Sequence, residues 1–256
     1  MKRLLGILGL AFSVVAVGAI PPAEAASFLQ IQVDATIVSC TTGGVCAAGF
    51  VDVDPTTINF TGTVNGVSFG GGGAIGLQLT GNSPGATVSF ITDTKTQISN
   101  TSGVSHVVTV SFAQNAFTLP IGTPLSLSAS QGVDQILGGP TTENFSGFAN
   151  NANTLTPGAG TAAATPPCTP PLAAPPTTSC ATFGGPVVFA RTSANSPFAL
   201  SGVESFTLAN NAAINAHGTV EVFSPTGVVP EPTSLLLIGT GLVGVATVAR
   251  RKMKRS

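Results

Sequence analysis

Hydrophobic and polar residues alternate along several short segments of the chain. In the first segment, from Leu29 to Ile37, apolar residues occupy every second position and mostly polar residues separate them. A repeat of two residues is typical of a β-strand with one face in water. Shorter segments with strand character follow at 75–80, at 87–90 with Val88 and Phe90 on the apolar side, and at 108–112, 205–209 and 219–223. Glycine, asparagine, proline and serine separate these segments, as turns require.

These strands predict the fold class. The body shows no sustained helical stripe of apolar residues, and several short strands with turn signals between them are typical of an all-β fold. We expect a β-sandwich or jelly-roll-like body over residues 26–229. Fourteen phenylalanines, together with valine, isoleucine and leucine, are available to fill its core. The body is long enough for one domain with a sizeable core.

Two segments interrupt the strand pattern. The glycines at 70–73 predict a flexible turn, and no Lys-Ser or Lys-Thr pair follows them as a phosphate-binding loop would need. Residues 149–186 are rich in asparagine, alanine, threonine and proline. This composition buries too little apolar surface to offset the entropy of ordering. We therefore expect a long loop with polyproline character, and it could also divide two subdomains.

The first 25 residues have the three parts of a secretory signal peptide. Lys2 and Arg3 precede an apolar run over 4–20, and residues 21–25 read Pro-Pro-Ala-Glu-Ala. Proline ends the expected helix, and the small residues that follow form the pattern cut by signal peptidase. We expect cleavage between Ala25 and Ala26, with an uncleaved N-terminal anchor as the alternative.

Residues 230–256 form a second segment with three parts. The Pro230, Glu231 and Pro232 triplet precedes an uncharged apolar run over 235–249, and the run ends at a basic cluster of Arg250, Arg251 and Lys252. The prolines stop a helix from extending upstream, so a transmembrane helix is expected over 233–249. At about 1.5 Å per residue the apolar run reaches roughly 22 Å, short of the ~30 Å hydrocarbon core of a bilayer. The positive-inside rule keeps the basic cluster in the cytoplasm and the body outside it.

This tail resembles the PEP-CTERM sorting signal of Gram-negative and related bacteria. The Pro-Glu-Pro triplet, the apolar helix and the basic cluster carry the resemblance. It implies recognition by a membrane-embedded exosortase, cleavage near the triplet and transfer of the body to the cell surface or exopolysaccharide matrix. The removed hydrophobic tail then acts as an address. The expected partners are signal peptidase, exosortase and, transiently, the inner membrane; a plain C-terminal anchor is the alternative.

Charge is distributed unevenly along the chain. Between Arg3 and Arg250 the basic residues are Lys95 and Arg191, against eight acidic residues in the body, which gives the body a formal charge of −6. Nucleic-acid binding needs cations that displace counterions from phosphates. The body lacks such cations, so nucleic acid is excluded as a partner.

The four cysteines are Cys40, Cys46, Cys168 and Cys180. An even number in an exported chain predicts disulfides, and four cysteines allow three pairings. We favour Cys40–Cys46 and Cys168–Cys180, because each pair closes a local loop rich in glycine or proline. A metal site is a weaker alternative, since no C-x-x-C is present and two histidines are the sole possible assistants.

The residue types of one segment match the consensus of a hydrolase motif. Residues 81–85 fit G-x-S-x-G, and Asp134, Glu204 and His217 follow in the order of a hydrolase triad. The motif needs the backbone N–H after the serine as an oxyanion donor. That residue is Pro84, which has no N–H. We therefore expect a hairpin turn here, no catalytic residues and no enzyme activity.

Other candidate sites have simpler explanations. Asp52 and Asp54 share one face of a strand and offer oxygens to Ca²⁺, but an Asp-Pro turn cap is the favoured interpretation. Sugar sites commonly stack rings on tryptophan or tyrosine, and the chain has neither. His106 and His217 are expected at the surface or at a strand edge. We expect no cofactor and no metal.

Together these features predict an exported, exosortase-processed structural or adhesive protein of the cell surface or biofilm matrix. Exopolysaccharide is one expected partner. A secreted polysaccharide- or calcium-binding module is the main alternative, and a secreted hydrolase is a third hypothesis.

Overall fold

The computed structural model describes residues 25–71, 74–82, 88–138, 141–170 and 178–225. Every regular element within these ranges is a β-strand, which confirms the all-β prediction. The ranges hold no helix that is long and apolar enough to cross a membrane. The helices predicted for the signal segment and for 233–249 lie outside the described residues, as do the Pro-Glu-Pro triplet and the basic cluster.

Fifteen strands lie in the described part of the chain. In chain order they are β1 (Ser27–Val33), β2 (Thr36–Thr41), β3 (Phe50–Asp54), β4 (Thr57–Phe60), β5 (Gly62–Val64), β6 (Val67–Phe69), β7 (Leu77–Asn82), β8 (Val88–Asn100), β9 (His106–Phe117), β10 (Leu125–Leu137), β11 (Glu143–Asn150), β12 (Thr161–Ala164), β13 (Thr178–Phe189), β14 (Phe198–Leu208) and β15 (Ala213–Phe223).

The strands form two antiparallel sheets. The first sheet has the order β12-β11-β14-β9-β1-β2. The second has the order β13-β10-β15-β8-β7-β4-β3, and the β5–β6 hairpin joins it through the pairing of β6 with β8. From β8 onward the chain passes repeatedly from one sheet to the other, so strands distant in sequence become neighbours, as in the β8–β15 pair.

The core lies between the two sheets. Phe112 of β9 stacks on Phe145 of β11, with ring centroids 6.1 Å apart. Gly147 of β11 lies so close to the other sheet that a Cβ atom there would be 2.8 Å from a methyl group of Val220 on β15. The sheets therefore pack face to face, which confirms the sandwich-like body.

The first predicted strand is two strands in the structure. β1 ends at Val33 and β2 begins at Thr36, with a two-residue turn at Asp34 and Ala35. Asp34 has a φ of 52°, a left-handed conformation that aspartate tolerates in tight turns. The prediction of one continuous strand is wrong because the alternation continues through the turn, and hydrophobic spacing alone does not reveal the reversal.

The segment 149–186 differs from the long loop predicted for it. It contains β12 and the first part of β13, while residues 171–177 lie outside the described part. The carbonyl of Pro166 accepts hydrogen bonds from Gln131 Nε2 at 2.7 Å and from Thr182 Oγ1 at 2.8 Å. The Thr165 N–H donates to the carbonyl of Phe145 on β11 at 3.1 Å. Composition does not reveal such long-range bonds, which help to offset the entropy of ordering.

The buried face of β8 is not the one predicted from its apolar residues. Val88 and Phe90 are only half-buried. The opposite face is buried and carries Ser89, Ile91, Asp93 and Lys95. Because alternate residues of a strand share a face, an aspartate and a lysine lie side by side in the core.

Candidate functional site

A lysine and three carboxyl groups meet between the two sheets; we call Asp93, Lys95, Glu143 and Glu204 the buried cluster. Asp93 and Lys95 belong to β8 of the second sheet, and Glu204 belongs to β14 of the first. Lys95 Nζ donates to Asp93 Oδ2 and, at 2.5 Å, to Glu204 Oε2. The side chains of these three residues have zero exposure, so the hydrogen bond from Lys95 to Glu204 joins the sheets away from solvent.

Glu143, at the start of β11, supplies the third carboxyl group. Its backbone N–H donates to the Cys168 carbonyl and its carbonyl accepts from the Cys168 N–H, both at 2.9 Å. Cys168 is in turn bonded to Cys180 of β13, so the disulfide helps to fix the backbone that carries Glu143. Among the described residues, both carboxyl oxygens of Glu143 and Oε1 of Glu204 are buried without a hydrogen-bond partner.

Burial governs protonation in the buried cluster. Removal from water, reinforced by the charge of Glu204, raises the pKa of Glu143 to about 10. Removal from water likewise raises the pKa of Glu204 to about 8, although Lys95 opposes the shift. Both glutamates are therefore protonated at neutral pH. Burial alone would lower the pKa of Lys95, but the carboxyl groups, Asp93 foremost, more than offset it and hold the ammonium charged.

A glycine makes room for the aspartate of this cluster. Gly218 on β15 donates its backbone N–H to Asp93 Oδ1 at 2.8 Å. A Cβ atom at this position would lie 2.8 Å from the same oxygen and 2.7 Å from the ring of Phe145. The position of Asp93 therefore depends on the absence of a side chain at residue 218.

A second constellation lies where three turns meet. Ser102, in the loop between β8 and β9, has its Oγ 2.7 Å from His106 Nε2, and His106 Nδ1 is 2.7 Å from Asp34 Oδ2. Asn65, in the turn between β5 and β6, donates Nδ2 to the same Asp34 oxygen at 3.1 Å. Hydrogen bonds from His106 and from the Val107 N–H lower the pKa of Asp34. The charged carboxylate favours the histidine tautomer with its proton on Nδ1, so Ser102, His106 and Asp34 have the connectivity of a nucleophile, base and acid.

The backbone amides around Ser102 are already bonded within the protein. The Ser102 N–H donates to Asn100 Oδ1 at 3.0 Å, and the Gly103 N–H donates to Asn210 Oδ1 at 3.1 Å. The Val104 N–H points back to Ser102 Oγ at 3.3 Å. An oxyanion hole needs N–H groups aimed at the reacting oxygen of a substrate, and these three N–H groups point elsewhere. Ser102, His106 and Asp34 are therefore better suited to holding neighbouring turns together than to hydrolysis; we call these three residues the clamp.

We expect Ser102→Ala to leave ester hydrolysis unchanged and to lower the free energy of unfolding by about 1 kcal/mol, because hydrogen bonds of the clamp are lost. Hydrolysis of a p-nitrophenyl ester and the urea midpoint of unfolding measure the two effects. Ser105→Ala, at an exposed serine of the same loop, is the matched control. Hydrolysis by the wild-type chain that disappears in Ser102→Ala alone would identify Ser102 as a nucleophile and contradict the expectation.

The two histidines occupy different environments. His106 is buried, with both ring nitrogens in hydrogen bonds, so the prediction of a surface or edge position is wrong for it. Its partner Asp34 is 72 residues away in the sequence, and only the fold brings the two together. His217 is exposed on β15, as the predicted surface position requires.

The residues that follow the G-x-S-x-G segment do not form a triad. Glu204 belongs to the buried cluster, His217 is exposed on β15, and Asp134 lies on β10 opposite Asn215. Residues 83–85 of the segment are outside the described residues. Sequence order alone had suggested this grouping, and the topology separates its members.

Asp52 and Asp54 line a surface cavity of about 400 Å³ together with Ala25, Ala26, Thr42 and Gly43. Asp54 Oδ1 accepts hydrogen bonds from the N–H and the hydroxyl of Thr56, each at 2.7 Å, which is the turn cap predicted for it. Asp52 Oδ2 accepts from the Gly43 N–H at 2.8 Å. Within the described ranges no group of three or more His, Cys, Asp or Glu residues could hold a metal ion.

The predicted cleavage point lies at the rim of this cavity. The Ala26 nitrogen donates to Asn115 Oδ1 at 2.8 Å. An amino terminus created between Ala25 and Ala26 would therefore start close to β1 and beside two carboxylates. The cleavage itself stays a prediction.

Both favoured disulfide pairs are present. Cys40 is bonded to Cys46 with their Cα atoms 4.2 Å apart, and Cys168 is bonded to Cys180 with Cα atoms 5.7 Å apart. The first bridge ties the end of β2 to the loop before β3. The second ties the proline-rich segment to β13, so all four cysteines are used.

The buried cluster and the Ser102–His106–Asp34 clamp were not predicted from the sequence. One signal for the cluster was available, because Lys95 is one of two cations in the body and stands two residues from Asp93 in a strand-like segment. Its hydrogen-bond partner in the other sheet, Glu204, is 109 residues away in the sequence. No spacing rule connects residues at that distance.

Comparison with known protein families finds the PEP-CTERM protein-sorting motif at residues 228–252. The match includes the Pro-Glu-Pro triplet, the apolar run and the whole basic cluster, and it confirms the resemblance seen in the sequence. The motif indicates an exported, membrane-anchored precursor that exosortase processes. No curated protein matches the chain.

Proposed function

We propose that this chain is a structural or adhesive protein of the cell surface or extracellular matrix, without catalytic activity, that exosortase releases from the membrane. The observation that carries the proposal is the sorting motif at 228–252, because such a tail is a sorting signal that directs the attached body to its location. Signal peptidase cleavage between Ala25 and Ala26 and a membrane helix over 233–249 belong to the same export route.

The disulfides and the buried contact between the sheets support a role outside the cytoplasm. Disulfides persist in oxidising compartments, and here each bridge closes a loop at the periphery of the sandwich. Inside, Lys95 connects the two sheets through Glu204. The disulfides restrain the periphery of the sandwich and the contact of Lys95 with Glu204 restrains its centre. Such restraints favour a rigid body, which suits a structural protein.

The outer strands of the second sheet offer apolar contact surfaces. β3 and β13 are the outer strands of this sheet. Val51 and Val53 on β3, and Phe183 and Val188 on β13, are each more than half exposed. Exposed edge strands with apolar residues favour pairing with other chains. These edges support an adhesive or assembling role.

The surface charge favours a neutral polysaccharide as partner. Lys95 and Arg191, the basic residues of the body, are both buried, and Arg191 donates to the carbonyls of Pro120 and Ser196. The body therefore presents carboxylates to solvent without exposed lysine or arginine side chains beside them. Such a surface repels acidic polysaccharides and tolerates neutral ones.

Export and processing are tested in the native host with and without active exosortase. We expect cells with the enzyme to yield a surface or matrix form that ends near the Pro-Glu-Pro triplet, because the enzyme removes the apolar tail. Cells without it should retain the longer precursor in the membrane fraction. Cell fractionation followed by C-terminal sequencing measures both forms.

Two variants separate sorting from the task of the body. Replacing Pro230, Glu231 and Pro232 by alanines should reproduce the enzyme-free result while leaving the body intact. Cells that lack the surface form should adhere less. Expression of either the wild-type chain or the Ser102→Ala chain should restore their adherence, because a structural role does not need the Ser102 hydroxyl. A precursor of unchanged size in the cytoplasmic fraction of both hosts would contradict the proposal.

A polysaccharide- or calcium-binding module is the second candidate. Its support is the cavity lined by Asp52 and Asp54, since carboxylate oxygens are ligands that Ca²⁺ prefers. A melting temperature that rises on addition of Ca²⁺ and is insensitive to Ca²⁺ in Asp52→Asn would favour this candidate.

A further inference from the structure

The buried cluster places an amine and a carboxyl group from different sheets in contact. Lys95 Nζ lies 2.5 Å from Glu204 Oε2, with both side chains fully buried. We propose that these two groups condense to an amide, giving an intramolecular cross-link between Lys95 Nζ and Glu204 Cδ that joins β8 to β14. The inference rests on the geometry of the core and does not depend on the proposed function.

The distance between the groups suits attack on the carboxyl carbon. A nitrogen at 2.5 Å from one carboxyl oxygen is about 3 to 3.5 Å from the carbon, which is the range of a near-attack arrangement. Both partners are held by strands paired on two sides, β8 by β7 and β15, and β14 by β9 and β11. Fixed partners react as if at a very high effective concentration.

The protonation of the cluster favours Glu204 as the carboxyl partner. A carboxylate anion resists attack by a nucleophile, whereas a neutral carboxylic acid accepts it. Burial raises the pKa of Glu204 to about 8, so its acid form dominates at neutral pH. Asp93 instead accepts hydrogen bonds from Lys95 Nζ and from the Gly218 N–H, which suits a base that takes a proton from the ammonium.

Lys95, Asp93 and Glu204 supply every atom and proton of the condensation. Lys95 Nζ passes one proton to Asp93 Oδ2 and becomes a neutral amine. The nitrogen lone pair attacks Cδ of the neutral Glu204 carboxyl group, and a C–N bond forms. The nitrogen gives up a second proton to the departing hydroxyl, the C–O bond breaks and one water leaves. The products are a neutral amide, one water and a protonated Asp93.

Glu143 is the positioning residue for this step. Its carboxyl group is buried beside Glu204 without a hydrogen-bond partner among the described residues, and Glu204 Oε1 is also unpartnered. Buried polar groups normally have partners. A neutral Glu143 donates a hydrogen bond to the Glu204 carbonyl during the attack and to the amide oxygen afterwards. The unpartnered oxygens therefore place a hydrogen-bond donor next to the carbonyl that is attacked.

Trypsin digestion of the denatured and reduced protein tests the link directly. Lys95 and Arg191 are the only trypsin sites between Arg3 and Arg250. An unlinked chain is cut at both sites, so that the peptide that begins at Thr192 is released on its own. In the linked chain Lys95 is acylated and resists cleavage, and the peptide that begins at Thr192 stays joined to Lys95 with the mass of one water missing. Neither disulfide spans a trypsin site, and reduction removes both.

The controls use variants that keep a cation or a carboxyl group in the core. Lys95→Arg cannot form the amide, so it should be cut at residue 95 and give no joined species. Glu143→Gln should lower the joined fraction several-fold, and Glu143→Asp should restore part of it, a rescue that a merely structural residue would not show. Cleavage of the wild-type chain at Lys95, or a blocked Lys95 without the attached peptide from Thr192, would overturn the proposal.

Discussion

Lys95→Met is expected to lower the free energy of unfolding by roughly 3–5 kcal/mol, the usual cost of leaving one member of a buried ion pair without its partner. Asp93 would keep the Gly218 N–H as a donor but would lose the ammonium that neutralises it. Methionine has a similar length and fills the space, so the loss reports charge more than volume. Urea unfolding at neutral pH, with the midpoint and slope fitted together, measures the change.

The double variant Asp93→Asn/Lys95→Met is the matched control. Asparagine retains an oxygen for the Gly218 N–H and carries no charge, so the double variant should recover most of the lost stability, as replacement of a whole buried pair often does. In a chain that carries the proposed amide no ion pair remains, so the single and the double variant should then lose the same stability, that of the link to Glu204. A single variant as stable as the wild type would show that the ion pair is unimportant to the fold.

Raising the pH from 5 to 9 is expected to destabilise the body through the two buried glutamates. In the unfolded chain a glutamate ionises near its ordinary pKa of 4.5, whereas in the folded chain Glu204 holds its proton to about pH 8 and Glu143 to about pH 10. A raised folded pKa stabilises the fold fully below the unfolded value and loses that effect as the pH rises through the folded value. The urea midpoint should therefore fall steadily from pH 5 to pH 9. An amide at Glu204 would leave Glu143 as the group that causes the decline.

Glu143→Gln separates this effect from other titrations. Glutamine has the shape of the protonated acid and does not ionise, so the variant should lose less stability than the wild type over the same pH range and should be the more stable of the two at pH 9. The carboxyls with lowered pKa, Asp34 and Asp54, lose their stabilising effect only in acid below this range. Parallel pH curves for the variant and the wild type would contradict the assignment to Glu143.

The fold class was accessible from the sequence because hydrophobic spacing reports which residues face the core. β9, with Val108 and Phe112 on its buried face, follows the expected alternation. The spacing failed at β8, where the buried face carries Asp93 and Lys95, since a polar residue in the core has the same spacing as one in water. It also failed at Asp34, where a turn continues the alternation of the flanking strands.

The sorting signal and the disulfide pairs could be predicted because each depends on residues close together in the chain. The Pro-Glu-Pro triplet, the apolar run and the basic cluster are contiguous, and each disulfide closes a short loop. The buried cluster and the Ser102–His106–Asp34 clamp could not be predicted in the same way. Their members come from strands and turns far apart in the sequence, and tertiary packing alone determines which of them meet.

Burial of Lys95 has a practical consequence for handling the protein. Aldehyde fixatives and amine-reactive dyes attach mainly through accessible lysine side chains, and Lys95 is the single lysine between Lys2 and Lys252. Because its side chain is fully buried, a folded body freed of both terminal segments would offer these reagents its α-amino group alone. Such a body would couple to a support in one orientation, and fixation procedures that rely on surface amines would attach it at that single point.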